Sequence, residues 1–269
     1  METPHSMIAR VLTLVLAMSW LALVVRPVLA ASPTAAQTQP LTTTVIQNVR
    51  IFDGKSSQLS APSNVLIRGN MIERISSTAI PTDQGANTVL IDGGGRTLMP
   101  GLIDAHWHTM FIRGTPAELE TNDIGYSNLL AAAEATDTLL RGFTTVRDVG
   151  GPSFGLKRAI DEGIVPGPRI WPSGAILTVT SGHGDFREFY QLPRIIGGPL
   201  SQMEIMGASM VVDSPDEVRV RTREQLMLGA SQIKLTAGGG VASPHSPLDA
   251  STFTEAELRA AVEAAVPPR

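Results

Sequence analysis

His106 and His108, separated by one residue in the run LMPGLIDAHWH (residues 98–108), are the first pair whose types and spacing suggest chemistry. The preceding stretch Leu102–Ala105 is a short apolar strand. Strand side chains repeat direction every two residues, so both imidazoles point to one face. Neighbouring imidazoles repel when protonated, whereas a divalent cation binds both neutral rings. Strand ends in alternating β/α folds are also where ligands gather. Taken alone, two ordinary loop histidines would explain the pair equally well. Lys234, in QIKLT (residues 232–236), is a second anomaly: a cation inside an apolar strand. A buried ammonium must find a carboxylate or give up its proton. A neutral amine there could take up CO2, giving a carbamate, an anionic ligand able to bridge two metals. Gly238–Gly239–Gly240 follows and loosens the loop at the strand's mouth.

The elements that must hold these residues fall into two regimes. Residues 42–99 read as short strands broken by turns at Asp53–Gly54, Gly69–Asn70 and Gly93–Gly95, which predicts a small β-sandwich segment. From residue 100 to 269 strands alternate with helices. Strands are predicted at 102–105, 143–149, 169–172 and 232–236. Helices are predicted at 127–141 and 154–162, closed by Gly142 and Gly163. Two more open at the capping boxes Ser214–Glu217 and Thr254–Glu257. The first of these runs to about Leu228; in the second, Leu258, Ala261, Val262 and Ala265 share one face. Four strand–helix units predict a parallel α/β architecture. Arg147–Asp148 at the second strand's end reads as a structural pair, and His245, in a Pro/Ser loop, as a loop histidine.

Composition narrows the function. The 269 residues are 43% hydrophobic and 17% charged with net charge -4, too apolar for a disordered acidic chain and without the basic excess that nucleic acid requires. No cysteine is present, so disulfides, thiolate metal sites and a Cys nucleophile are excluded. Arg10, the apolar run Val11–Val25 and the exit Val28-Leu29-Ala30 describe a secretory signal peptide over residues 1–30, the run itself being short for a bilayer span; an uncleaved N-terminal anchor is the rival reading. Residues 31–41 read as a disordered leader, so the mature chain is expected to be exported, periplasmic or secreted. The triple-glycine runs fit neither the dinucleotide fingerprint nor the P-loop.

These residues together resemble the metal-dependent amidohydrolase superfamily, in its imidazolonepropionase-like and Xaa-Pro dipeptidase branch. IFDG (51–54), LMPGLIDAHWH (98–108), GFTTVRDVGG (142–151), TSGHGD (180–185) and IKLTAGGG (233–240) carry the resemblance across most of the mature chain. It implies the N-terminal part of a (β/α)8 barrel, about four βα units, preceded by the β-sandwich segment. It also implies a binuclear zinc site with His106 and His108 as ligands and carboxylated Lys234 as the bridge. His183 would meet the substrate's carboxylate or carbonyl, although a loop histidine explains it as well. The implied reaction is hydrolysis of an amide or peptide bond, in a dipeptide or related small amide, by a metal-activated hydroxide. Two further histidines and a general-base aspartate would lie beyond residue 269, so the chain reads as truncated, with no catalytic residue of its own. The alternative is an inactive remnant of such an enzyme with no tight metal site. Implied partners are a small amide or dipeptide, with no nucleic acid and no stable membrane insertion after signal cleavage; homo-oligomerisation is left open.

Overall fold

Short apolar runs punctuated by Gly and Asn build the first set of strands: β1 (Thr43–Ile51), β2 (Ser63–Arg68), β3 (Met71–Ser76), β4 (Thr88–Asp92) and β5 (Thr97–Leu98). The computed structural model describes residues 42–83, 85–243 and 245–266. The expected signal segment, the leader and the tail prolines lie outside them. The strands form one sheet in the order β3-β2-β1-β4, with β5 also paired to β1. The β1–β2 and β2–β3 pairs are antiparallel and β1–β4 is parallel. The expected sandwich is thus a single mixed sheet among the described residues, cored by Val45, Leu66 and Ile80. Register slips in β1 between Ile46 and Val49, where Asn48 takes a positive φ and its N–H donates to Asn64 Oδ1. That is the geometry of a bulge.

The chain divides into two compact units, the one just described and a second built of Ile51–Leu59 with Leu98–Arg269. In the second, β6 (Leu102–Trp107), β7 (Phe143–Asp148) and β8 (Arg169–Pro172) form a parallel sheet in that order. β9 (Ile176–Thr178) and β10 (Ser209–Val211) form a second parallel pair. Helices α1 (Pro116–Thr121), α2 (Ile124–Leu140), α3 (Phe154–Asp161), α4 (Gln202–Ile205), α5 (Pro215–Met227) and α6 (Glu255–Ala265) cover these strands. The result is a mixed α/β unit, and no helix among the described residues is long and apolar enough to cross a membrane.

Local chemistry sets the helix ends. α2 starts three residues earlier than expected because Asp123 caps it, accepting from Tyr126 N–H. It closes at Gly142, where φ is +96°. Thr254 and Glu257 form a reciprocal capping box on α6. At α5 the reach-back differs: Glu217 accepts from Asp213 N–H at 3.0 Å, one residue before the cap. Under β6–β8, Ala131 and Ala135 of α2 pack on Val146, Leu156 and Ile170. A second cluster joins Leu177, Val212 and Val218 to Phe253, Ala260 and Ala261.

Two expectations are corrected. Residues 232–236 make no strand but a single parallel bridge, Leu177 to Leu235, with Leu177 N–H donating to Lys234 O and Thr236 N–H to Leu177 O. Only that one edge is paired among the described residues, so no ladder propagates. In α6 the buried residues are Glu257, Ala260 and Ala261, whereas Val262 is 61% exposed. The helix is rotated to bring its alanines against the core, and their small side chains allow close approach.

Candidate functional site

The site is assembled at the C-terminal end of β6. Leu102 N–H donates to Gly142 O, and the β6–β7 register brings Trp107 opposite Asp148. Alternation then separates the three consecutive aromatic residues. Trp107 stacks on Phe143 and packs on the core cluster under the sheet, while His106 and His108 share the other face with ring centroids 5.5 Å apart. His106 is exposed and its backbone N–H donates to Asp104 Oδ1. His108 is half-buried, and its Nδ1 lies 3.3 Å from Gly150 O. A carbonyl only accepts, so Nδ1 carries the proton and Nε2 is left as the free donor atom.

Lys234 and His183 complete the group. Burial and the nearby Arg147 charge hold the Lys234 ammonium below the usual lysine range, and no carboxylate pairs with it among the described residues. The carboxylate-paired lysine considered from sequence is therefore not what the fold builds. Burial lowers His108, as do the charges of His106, Lys234 and His183, against the opposing Gly150 hydrogen bond. His183 is likewise lowered by burial and by Lys234 and His106. Protons on His108, His183 and Lys234 are thus disfavoured, which favours neutral nitrogen donors at these three groups.

His183 sits in the loop after β9. Its Nδ1 is 3.1 Å from Ser243 Oγ, which also accepts from Gly184 N–H at 2.8 Å. Gly240 packs so closely on the ring that a Cβ there would overlap it. Gly240→Ala is therefore expected to turn the His183 ring away from Ser243 and cost about 1–3 kcal/mol of stability. Urea unfolding measures the loss, and a cost below about 0.5 kcal/mol would show that the ring yields freely.

Beside the imidazoles opens a cleft of about 290 Å³, walled by Phe111, Leu119, Ile176 and Phe186 with His108 and His183 at its edge. Burial of the cleft floor is shared with Met203 of α4, which packs on Leu119. Such a cleft is lined mainly by apolar side chains with a few polar groups to orient a ligand.

Sequence reasoning missed the groups that brace this site. Arg147 and Asp148 do not pair with each other, because successive strand residues face opposite ways. Arg147 Nε donates to Ala105 O at 2.7 Å. Asp148 is fully buried and accepts from Thr109 N–H (2.8 Å), from Thr109 Oγ1 and from Gly150 N–H (3.1 Å). Burial pushes its carboxyl up to about 6, with the Thr109 and Gly150 bonds opposing. Asp185 and Arg187 form a second buried brace, joined at 2.8 and 2.7 Å. The only sequence signal for it is an acid and a base two apart in GDFRE. His245 stays outside the group; Phe189 stacks on it with centroids 3.8 Å apart.

Parallel strands under helices, with two imidazoles at the end of β6 and a nearby lysine that has no carboxylate partner among the described residues, define an α/β protein with a basic strand-end site. The chain belongs to the amidohydrolase family, which residues 97–266 match. It is 33% identical over 181 residues to ochratoxinase of Aspergillus niger, covering 62% of this chain and 36% of that protein. A prolidase solved with N-methylphosphonate-L-proline is 35% identical with TM-score 0.74, over 83% of this chain and 53% of that one. A Xaa-Pro dipeptidase solved with methionine in its active site is 32% identical with TM-score 0.69, over 83% and 54%. The chain thus spans about half the length of these solved relatives. The chain is thus a member of an enzyme family.

Proposed function

We propose that the protein is an exported, metal-dependent hydrolase of small amides or dipeptides, in which His106, His108 and Lys234 hold the metal and His183 contacts the substrate. The observation that carries this reading is the convergence of these four groups, two of them at the edge of the cleft, with Lys234 half-buried and no carboxylate paired with it among the described residues. The donor chemistry fits zinc: one imidazole has Nε2 free, its neighbour lies 5.5 Å away, and an amine with a depressed pKa is competent to become a carbamate. When bound, two zinc ions would supply Lewis-acid polarisation and an activated water.

The chain's own residues supply the rest. The cleft would accept an apolar side chain of the substrate. With Nδ1 accepting from Ser243 Oγ–H, His183 would present Nε2–H to the substrate, as a donor to a carbonyl or carboxylate oxygen. Cleavage adds water across the amide, breaking C–N to give a carboxylate and an amine. Export is supported by the signal-peptide pattern of residues 1–30, and N-terminal sequencing of the secreted product should begin at Ala31.

A remnant without a tight metal site is the second reading. It draws on the fact that, among the described residues, no group of three His, Cys, Asp or Glu could hold a metal. Equilibrium dialysis of the full chain against Zn²⁺, alongside hydrolysis of an N-acyl-L-amino acid and of Xaa-Pro dipeptides, separates the two. Retained zinc is expected, with affinity falling at least tenfold in Lys234→Met. Zinc that dialyses away from the wild type, with no hydrolysis, favours the remnant.

A further inference from the structure

We infer that Asp148 is a positioning residue for His108, fixing the backbone on both sides of the ring so that Nδ1–H donates to Gly150 O and Nε2 stays unprotonated. One carboxylate oxygen accepts from Thr109, the residue that follows His108; the other accepts from Gly150 N–H. Gly150 is also the residue whose carbonyl meets the ring at 3.3 Å. The buried carboxylate therefore ties together the chain that carries the imidazole and the chain that orients it, 39 residues away.

Other bonds hold the clamp itself in place. Val149 N–H donates to Trp107 O at 2.9 Å, and Gln232 Nε2 donates to Asp148 O at 3.0 Å. Gly150 has no side chain to spare, since a Cβ would come within 3.1 Å of His108 Cε1 and closer still to Ile176. An amide at position 148 has one acceptor oxygen, so its NH2 must face an N–H on one side of the clamp. Either Thr109 or Gly150 is released, and with it the fixed distance between Nδ1 and its carbonyl. Orienting bonds of this kind select which ring nitrogen is free to bind a metal. That Nε2 serves a metal rests on the hydrolase reading above; the tautomer does not.

The test is the histidine-ring ¹H–¹⁵N correlation spectrum of the metal-free full chain, with His106 and His183 as internal controls. Wild type is expected to show His108 almost wholly as the Nδ1–H tautomer. Asp148→Asn is expected to give a mixture of both tautomers at His108 alone. Thr109→Val, which deletes only the hydroxyl bond, should shift His108 the same way by less, and it decides the matter if Asp148→Asn does not fold. In zinc dialysis Asp148→Asn should weaken affinity about 10–100-fold. An Nε2–H ring in wild type, or a His108 unchanged in every folded variant, overturns the inference. If the tautomers behave as expected but wild type holds no zinc, the positioning role stands and the hydrolase reading falls.

Discussion

Arg187→Met is expected to cost about 3–5 kcal/mol, among the largest losses any single side chain here can produce. Arg187 and Asp185 side chains are only 6% and 8% exposed. The guanidinium meets the carboxylate through Nε at 2.8 Å and a terminal nitrogen at 2.7 Å, and that same terminal nitrogen donates to Thr180 Oγ1 at 3.0 Å. Burial pushes the Asp185 carboxyl up, but the Arg187 bonds and the Ser181 N–H hold it below the usual carboxylate range. Methionine preserves the apolar stem and leaves the carboxylate buried beside two backbone N–H groups. That uncompensated charge, rather than the lost attraction, dominates the cost. Urea unfolding followed by tryptophan fluorescence should show it, with Tm lower by about 10 °C. The double variant Asp185→Leu/Arg187→Met should recover much of the loss, because it removes both charges. A loss under about 1 kcal/mol in the single variant would mean that water reaches the pair. The brace also matters to the site: Ser181, held at φ +65° by its bond to Asp185, leads into the loop that carries His183.

How much of this was legible in the sequence follows from the range of each interaction. Strand alternation and helix caps depend on neighbours within four residues, so His106 and His108 on one face, Gly142 at a helix end and the Thr254–Glu257 box could all be read directly. The bracing groups act over longer spans: Asp148 reaches Thr109 across 39 residues, and Ser243 reaches His183 across 60. No local pattern encodes such partners. The composition around Lys234 suits a strand, yet a strand needs a partner along its length, and here a single bridge is made. That no carboxylate pairs with Lys234 among the described residues is likewise a property of the assembled unit. The same sequence pattern would suit a paired lysine.

Asp148 should make the protein less stable as pH rises from about 4 to about 6, the reverse of what a salt-bridged carboxylate does. Its folded pKa of about 6 lies above the ordinary 3.8, so between these values the native state holds a proton that the unfolded chain has released. Stability follows the difference in bound protons, and an excess in the native state gives a negative slope with pH. Over roughly two pKa units the loss is about 3 kcal/mol, complete once pH exceeds the folded value. Other groups slope the opposite way. Asp185 and Glu134 are held low by arginines against the effect of burial, and their contribution disappears as pH falls. His108 and His183, lowered mainly by burial, also favour the folded state as pH rises toward their ordinary 6.5. The raw profile therefore mixes signs, and the Asp148 contribution is isolated by difference. Asparagine at 148 is neutral at every pH, so wild type should lead Asp148→Asn by about 3 kcal/mol more at pH 4 than at pH 7 in urea unfolding. A difference that stays flat across this range would mean that the Thr109 and Gly150 bonds already offset burial. The carboxylate would then cost nothing to ionise. If the slope is found, the protein carries a destabilising charge near neutral pH at the position that ties Thr109 to Gly150 across His108.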